Sequence, residues 1–240
     1  MLCVAKYVKA HLKASSKRAL RVGPISKAQV SSASRAPYAR RFSAASAAPS
    51  VAEELLALYD SRIGHSNYDP FCTQLEHGLQ TMHRARECGA DDVAQLQCFL
   101  HDIGHLVLDE HAGGEDFLEE DLMHEEVGAD HLEMLGFSAD FVMPIRLHVP
   151  AKRYLCATDS DYWAALSDGS KASLELQGGV MNPQEVKAFE SEYGAAAQAA
   201  AALRRWEDEG KNLFCHGHRD KVTLDAETRQ QIRGWIEDQL

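Results

Sequence analysis

His101 and Asp102 are neighbours in a stretch that is otherwise apolar, with Leu96, Phe99, Leu100, Ile103 and Val107 around them. Burying an imidazole and a carboxylate together is costly unless something compensates both, and a metal ion does so. Neutral imidazole nitrogen and carboxylate oxygen suit iron, manganese or zinc, and an aspartate has two oxygens with which to bridge two ions. His77, His101, His124 and His148 follow one another at intervals of 24, 23 and 24 residues. That interval is about one helix and its connection, so each of four helices can present one ligand to a common centre. Any one of these histidines alone reads more simply as a hydrogen-bonded core or surface residue. The set, joined to His101-Asp102, points to a binuclear metal site.

The elements that must position these residues are helical. Apolar residues recur at helical spacing throughout and alternate strand patterns are weak, so the fold class is all-α. Phe71, Leu75, Leu79 and Met82 form one stripe, and Leu96, Phe99, Leu100, Ile103 and Val107 a second, with Gly89 between them. A third helix is expected from Leu118 to Leu135, ended by Gly136. Pro144 is expected early in the next helix, whose register carries Leu147, Ala151 and Leu155. From Ser160 to Pro183 the turn signals Asp168-Gly169-Ser170 and Gln177-Gly178-Gly179 predict a loop. Pro183 to Lys211 and Leu224 to Leu240 predict further helices. Cys215-His216-Gly217-His218 reads as an exposed turn, and the acidic run from Asp109 to Asp121 as a solvated loop.

Composition separates a leader from the rest. Residues 1–52 hold ten Lys or Arg and no Asp or Glu, and their Ala, Ser and Arg bias, with Arg40-Arg41-Phe42-Ser43, predicts a transit peptide. The mitochondrial matrix is the expected destination, with plastid or cytoplasm the others. Residues 53–240 are then one domain. Without the leader the formal charge falls from -11 to -21, which argues against nucleic acid as a partner. No apolar block is long enough to span a membrane. The six cysteines form no C-x-x-C pair, which predicts free thiols rather than disulfides or a thiolate zinc site.

Several strings go further. Gln74-Leu75-Glu76-His77, His101-Asp102-Ile103-Gly104-His105, His124 and the run from Arg146 through His148 and Lys152 to Leu155 resemble the HD-domain mixed-valent diiron oxygenases of phosphonate catabolism. Gln177-Gly178-Gly179 and the segment Arg204 to Lys211 belong to the same resemblance, which covers most of residues 68–211. More distantly, the plan is similar to myo-inositol oxygenase. The resemblance implies an HD-domain helical bundle with a binuclear centre of two iron ions and dioxygen as co-substrate. His77, His101, Asp102, His124 and His148 match the family's iron ligands, with Asp102 bridging. The sixth ligand is expected at Glu207, where the family has Asp, with Asp208 as the alternative.

The same resemblance implies a small organophosphonate as substrate. Lys152 is expected to anchor the phosphonate, Arg204 to offer it a planar fork, and Ser167 or Ser170 to donate from the loop. His105 would hold substrate or support a ligand, and Tyr68 would cap the open iron position. Tyr68 is followed by Asp69 but not by the family's amine-recognising Glu. The implied reaction is oxidative cleavage of the C–P bond of a 1-hydroxyalkylphosphonate to phosphate and a carboxylic acid. On the residues alone, a binuclear metal-dependent phosphohydrolase or a non-catalytic metal-bound sensor stays open. Oligomeric state is not legible.

Overall fold

Several helix starts in this chain, those after Ser50, Thr73 and Asp91 among them, are set by polar side chains that close the first turn. The computed structural model describes residues 48–66, 72–108, 121–215 and 223–240, so Tyr68, Phe71, most of the acidic run and His216-Gly217-His218 lie outside the described residues. Helix α1 (Val51–Asp60) begins with a capping box in which Ser50 and Glu53 satisfy each other's backbone N–H groups. Pro49 to Leu240 forms one compact unit. It begins before residue 53, the start expected from composition, because Ser50 caps α1 and Ala52 is buried in the core.

Helix α2 (Gln74–Glu87) opens with a second capping box, Thr73 with Glu76. The Glu of the Q-L-E-H string is thus a cap that fixes the register of His77. Helix α3 (Asp92–Leu100) is capped by Asp91. His101 and Asp102 then sit at a break before α4 (Ile103–Leu108), not inside one helix as expected. On an unbroken helix, consecutive side chains diverge by about 100°, and the break lets both turn to one centre. Leu96, Phe99, Leu100 and Ile103 are buried as their spacing predicts, whereas Val107 is 36% exposed.

The expected helix from Leu118 is replaced by α5 (His124–Met134), which starts at His124 after Met123 in the left-handed region at φ 53. Gly136, at φ 108, ends it as expected, with the Phe137 N–H donating to the Leu132 carbonyl. Pro144 falls in the last turn of α6 (Ala139–Arg146), and His148 opens a new helix, α7 (His148–Thr158).

The stretch expected as a loop carries two helices, α8 (Ser160–Ala165) and α9 (Asp168–Leu176). Asp159 and Ser167 are their N-caps; small polar residues read as a turn are here a helix start. Gln177-Gly178-Gly179 does turn, with both glycines at positive φ. Gly194 at φ 48 divides the expected long helix into α10 (Pro183–Tyr193) and α11 (Ala195–Cys215), and α12 (Ala226–Asp238) follows. Among the described residues there is no strand, and no helix is long and apolar enough to cross a membrane.

The site lies where α2, α3, α7 and α11 meet, with α4 packed on α5 alongside. That last contact is very close. A Cβ on Gly104 would lie 1.9 Å from the His124 carbonyl oxygen and 3.0 Å from the Gly128 nitrogen. Gly104→Ala is therefore expected to force α4 and α5 apart and to cost about 1–3 kcal/mol, read from urea unfolding, with His124 displaced as a result.

Candidate metal centre

Four imidazoles and two carboxylates converge in the core, and the tautomers explain how they face one another. The Nδ1–H of His101 donates to the Cys98 carbonyl at 2.8 Å, and that of His148 to the Ile145 carbonyl at 2.7 Å. A carbonyl can only accept, so in the neutral form of each ring Nε2 carries the lone pair and points inward. His77 Nε2 lies 3.2 Å from His101 Nε2, and His124 Nε2 lies 3.1 Å from His148 Nε2. His77, His101 and His148 are at most 1% exposed.

Asp102 sits between the two histidine pairs. Its Oδ2 is 3.3 Å from both His77 and His101, and its Oδ1 is 3.4 Å from both His124 and His148. Among the described residues no donor hydrogen-bonds to Oδ2, although it is buried. Glu207 closes the first group, with Oε1 3.8 Å from His77 and Oε2 3.7 Å from His101. Two groups of possible ligands result: His77, His101, Asp102 and Glu207, and Asp102, His124 and His148. Inward lone pairs and a buried carboxylate oxygen with no donor need a cation between them, so the donor set fits two metal ions sharing Asp102.

Protonation follows burial. Removal from water pulls His77 down to about 4 and His124 down to about 3, so both present neutral nitrogen. Burial opposes charge on His101 too, but Asp102 and Glu207 outweigh it and shift the group up. Burial likewise opposes ionisation of Asp102, and the surrounding imidazoles, His101 foremost, hold it well below the usual carboxylate range. Glu125, 6% exposed, is pushed up to about 7 by burial.

The other expected residues divide. Lys152 is only 3% exposed, one turn after His148, and donates to the Ser173 hydroxyl at 2.9 Å. Among the described residues no carboxylate lies within ion-pair distance of it. Burial, reinforced by Arg204, draws its ammonium down to about 7. Arg204 is buried but presents no idle fork. Its Nη1 donates to Glu207 at 2.5 Å, and Nη2 and Nε donate to Asp208 at 2.6 and 3.1 Å. Asp208 accepts a further bond from the Tyr162 hydroxyl at 2.6 Å and stands outside both ligand groups. Of the two candidates for the sixth ligand, Glu207 is the one in the cluster.

Ser167 and Ser170 are engaged with each other at the start of α9 instead of reaching from a loop. The hydroxyl on Lys152 belongs to Ser173, which the sequence reading missed; reading 168–176 as a helix would have placed it one turn beyond Ser170. His105 stacks on His124, with ring centres 4.0 Å apart and planes 18° from parallel. Lys211, also missed, donates to Glu207 at 2.7 Å from one turn further along α11.

No family model matches the chain. Comparison with curated proteins finds similarity to a hydroxymethylphosphonate dioxygenase of Gimesia maris, 46% identical over 62% of this chain and 72% of that protein. A 1-hydroxy-2-(trimethylamino)ethylphosphonate dioxygenase, glycine-betaine-forming, of Leisingera caerulea is 38% identical over 58% of this chain and 70% of its own length. An uncharacterized protein of Acanthamoeba polyphaga mimivirus is 32% identical over 66% of this chain and 72% of its own.

Proposed function

Since the chain belongs to the family of phosphonate-cleaving oxygenases, we propose that it uses dioxygen and two iron ions to cleave the C–P bond of a small 1-hydroxyalkylphosphonate. The observation that carries this reading is Lys152: a buried ammonium, hydrogen-bonded to a neutral hydroxyl and one turn from His148, suits an anion that arrives with the substrate. A sensor or structural metal site has no use for such a cation.

His77, His101, Asp102 and Glu207 would hold one iron and Asp102, His124 and His148 the other. When bound, the irons supply a redox centre for dioxygen and a Lewis-acid site for the substrate's hydroxyl and phosphonate oxygens. The second group has three protein ligands, Asp102, His124 and His148, so an iron held there would keep coordination positions free for substrate or dioxygen. Lys152 and Ser173 then orient the phosphonate, and the buried walls keep water from the reacting carbon. The balance is one hydroxyphosphonate dianion and one dioxygen giving one carboxylate, one hydrogenphosphate and one proton.

Arg204 does its work at Glu207 and Asp208. Arg204→Lys is expected to leave the fold intact but to loosen Glu207, because a single ammonium cannot grip two carboxylates as the guanidinium does. Metal analysis after gel filtration should find iron depleted; full retention would return Arg204 to a role on the substrate.

The test of the activity is reconstitution with Fe(II) under nitrogen, followed by phosphate release from a panel of hydroxyphosphonates with and without dioxygen. Oxygen-dependent release with an oxidised carbon product is expected. Oxygen-independent hydrolysis of a phosphate ester would replace this reading with the phosphohydrolase. The acid-free, Ala/Ser/Arg-rich composition of residues 1–52 supports delivery to the mitochondrial matrix, which a fluorescent fusion of that segment would test.

A further inference from the structure

His124 differs from His101 and His148 in how its far nitrogen can be held. His101 and His148 each anchor Nδ1 on the carbonyl three residues earlier, Cys98 and Ile145. His124 is the first residue of α5, and Met123 before it is left-handed, so no preceding helical turn offers that carbonyl. What lies nearest instead is Glu125. The residue is 6% exposed, its Oε2 is buried with no hydrogen-bond partner among the described residues, and that oxygen stands 3.6 Å from His124 Nδ1. His105 stacks against the face of the His124 ring and limits how it can rotate.

We infer that Glu125 is a positioning residue for the second metal position, accepting the Nδ1–H of His124 so that Nε2 faces the ion. The 3.6 Å separation is longer than a hydrogen bond, and among the described residues Oε2 has no competing donor to hold it away. The physical need is the one that the Cys98 and Ile145 carbonyls meet for their histidines: fixing the tautomer and orientation of a ligand and raising its basicity. A carboxylate does this more strongly than a carbonyl, because the bond is charge-assisted. The inference rests on the cluster holding two ions.

The test is anaerobic titration of the metal-free full chain with Fe(II) against a chromophoric chelator. Two volume-conserving variants suit the buried position: Glu125→Met, which removes the acceptor, and Glu125→Gln, which keeps a neutral one. Loss of such a partner typically weakens metal affinity about 10–100-fold. Glu125→Met is expected to lose that much at one of the two ions and to leave the other unchanged, with Glu125→Gln recovering most of it. In a His124→Ala background the Met substitution should add nothing. Unchanged affinities in Glu125→Met, equal weakening of both ions, or an undiminished loss in the His124→Ala background would each overturn the role of Glu125. A wild-type chain that takes up fewer than two ions would overturn the two-metal reading beneath it.

Discussion

Replacing Asp102 with alanine is expected to remove both metal ions at once, and with them all dioxygen-dependent phosphate release. Each Asp102 oxygen faces one histidine pair, at 3.3 Å on one side and 3.4 Å on the other. Among the described residues no other contributes to both ligand groups. Lewis-acid assistance contributes several kcal/mol to catalysis, and each 1.4 kcal/mol is about tenfold in rate, so the loss should reach at least about a thousandfold. Stability gives an independent reading. Ligands brought together from several helices couple metal binding to folding, so Fe(II) should raise the melting temperature of the wild-type chain and leave that of Asp102→Ala nearly unchanged. An Asp102→Ala protein that still bound two ions would show that the histidine pairs are sufficient alone.

The second large effect is expected at Lys152, and it has the opposite sign in stability and in function. Lys152→Met keeps the volume of the side chain and removes the charge. Charge-assisted contacts contribute about 1.5–3 kcal/mol, so kcat/KM for the phosphonate should fall roughly tenfold to a hundredfold or more while the irons stay bound. Retained kcat/KM would mean that the phosphonate is held elsewhere. The fold itself should not suffer, because a buried ammonium without a carboxylate partner is a burden on it.

The pH dependence of that burden follows from the shift. Lys152 is drawn from 10.5 to about 7 on folding, by burial first and by Arg204 next. At pH above 10.5 the side chain is neutral in both states and costs nothing in ionisation. As pH falls, the unfolded chain takes up the proton first, and the penalty grows until the folded group also protonates near 7. Measured without metal, the stability advantage of Lys152→Met should therefore be largest at and below about pH 7 and shrink as pH rises towards 10.5. An advantage independent of pH over that range would mean that Lys152 is not desolvated in solution.

Chemistry in this chain was legible because the residue types are incompatible with their setting unless they act together. An imidazole beside a carboxylate in an apolar run, repeated histidines at helix-length intervals, and a specific string around His148 need no tertiary information to point to metal. The all-α class was legible for the same kind of reason, since the apolar positions recur at one period. So were particular boundaries such as Gly136, where only a residue at ease with positive φ can end the helix.

Tertiary structure alone decided how these pieces are aimed. The sequence placed His101 and Asp102 within one helix, yet their convergence depends on a break between α3 and α4 that no local preference announces. It left Glu207 and Asp208 as alternatives one residue apart. Neighbouring positions on a helix point about 100° apart, so one carboxylate faces the histidines while the other meets Tyr162, and Arg204 spans both. Ser173 was hidden because Ser167-Asp168-Gly169-Ser170 suits a turn and a helix start equally well in isolation; packing of Leu174 into the core is what selects the helix. Glu125 beside His124 looked like one more acid in an acidic stretch. Its burial and its distance from Nδ1 exist only once α4 and α5 close on each other at Gly104, so sequence fixed the kinds of ligand and the packing of helices fixed their geometry.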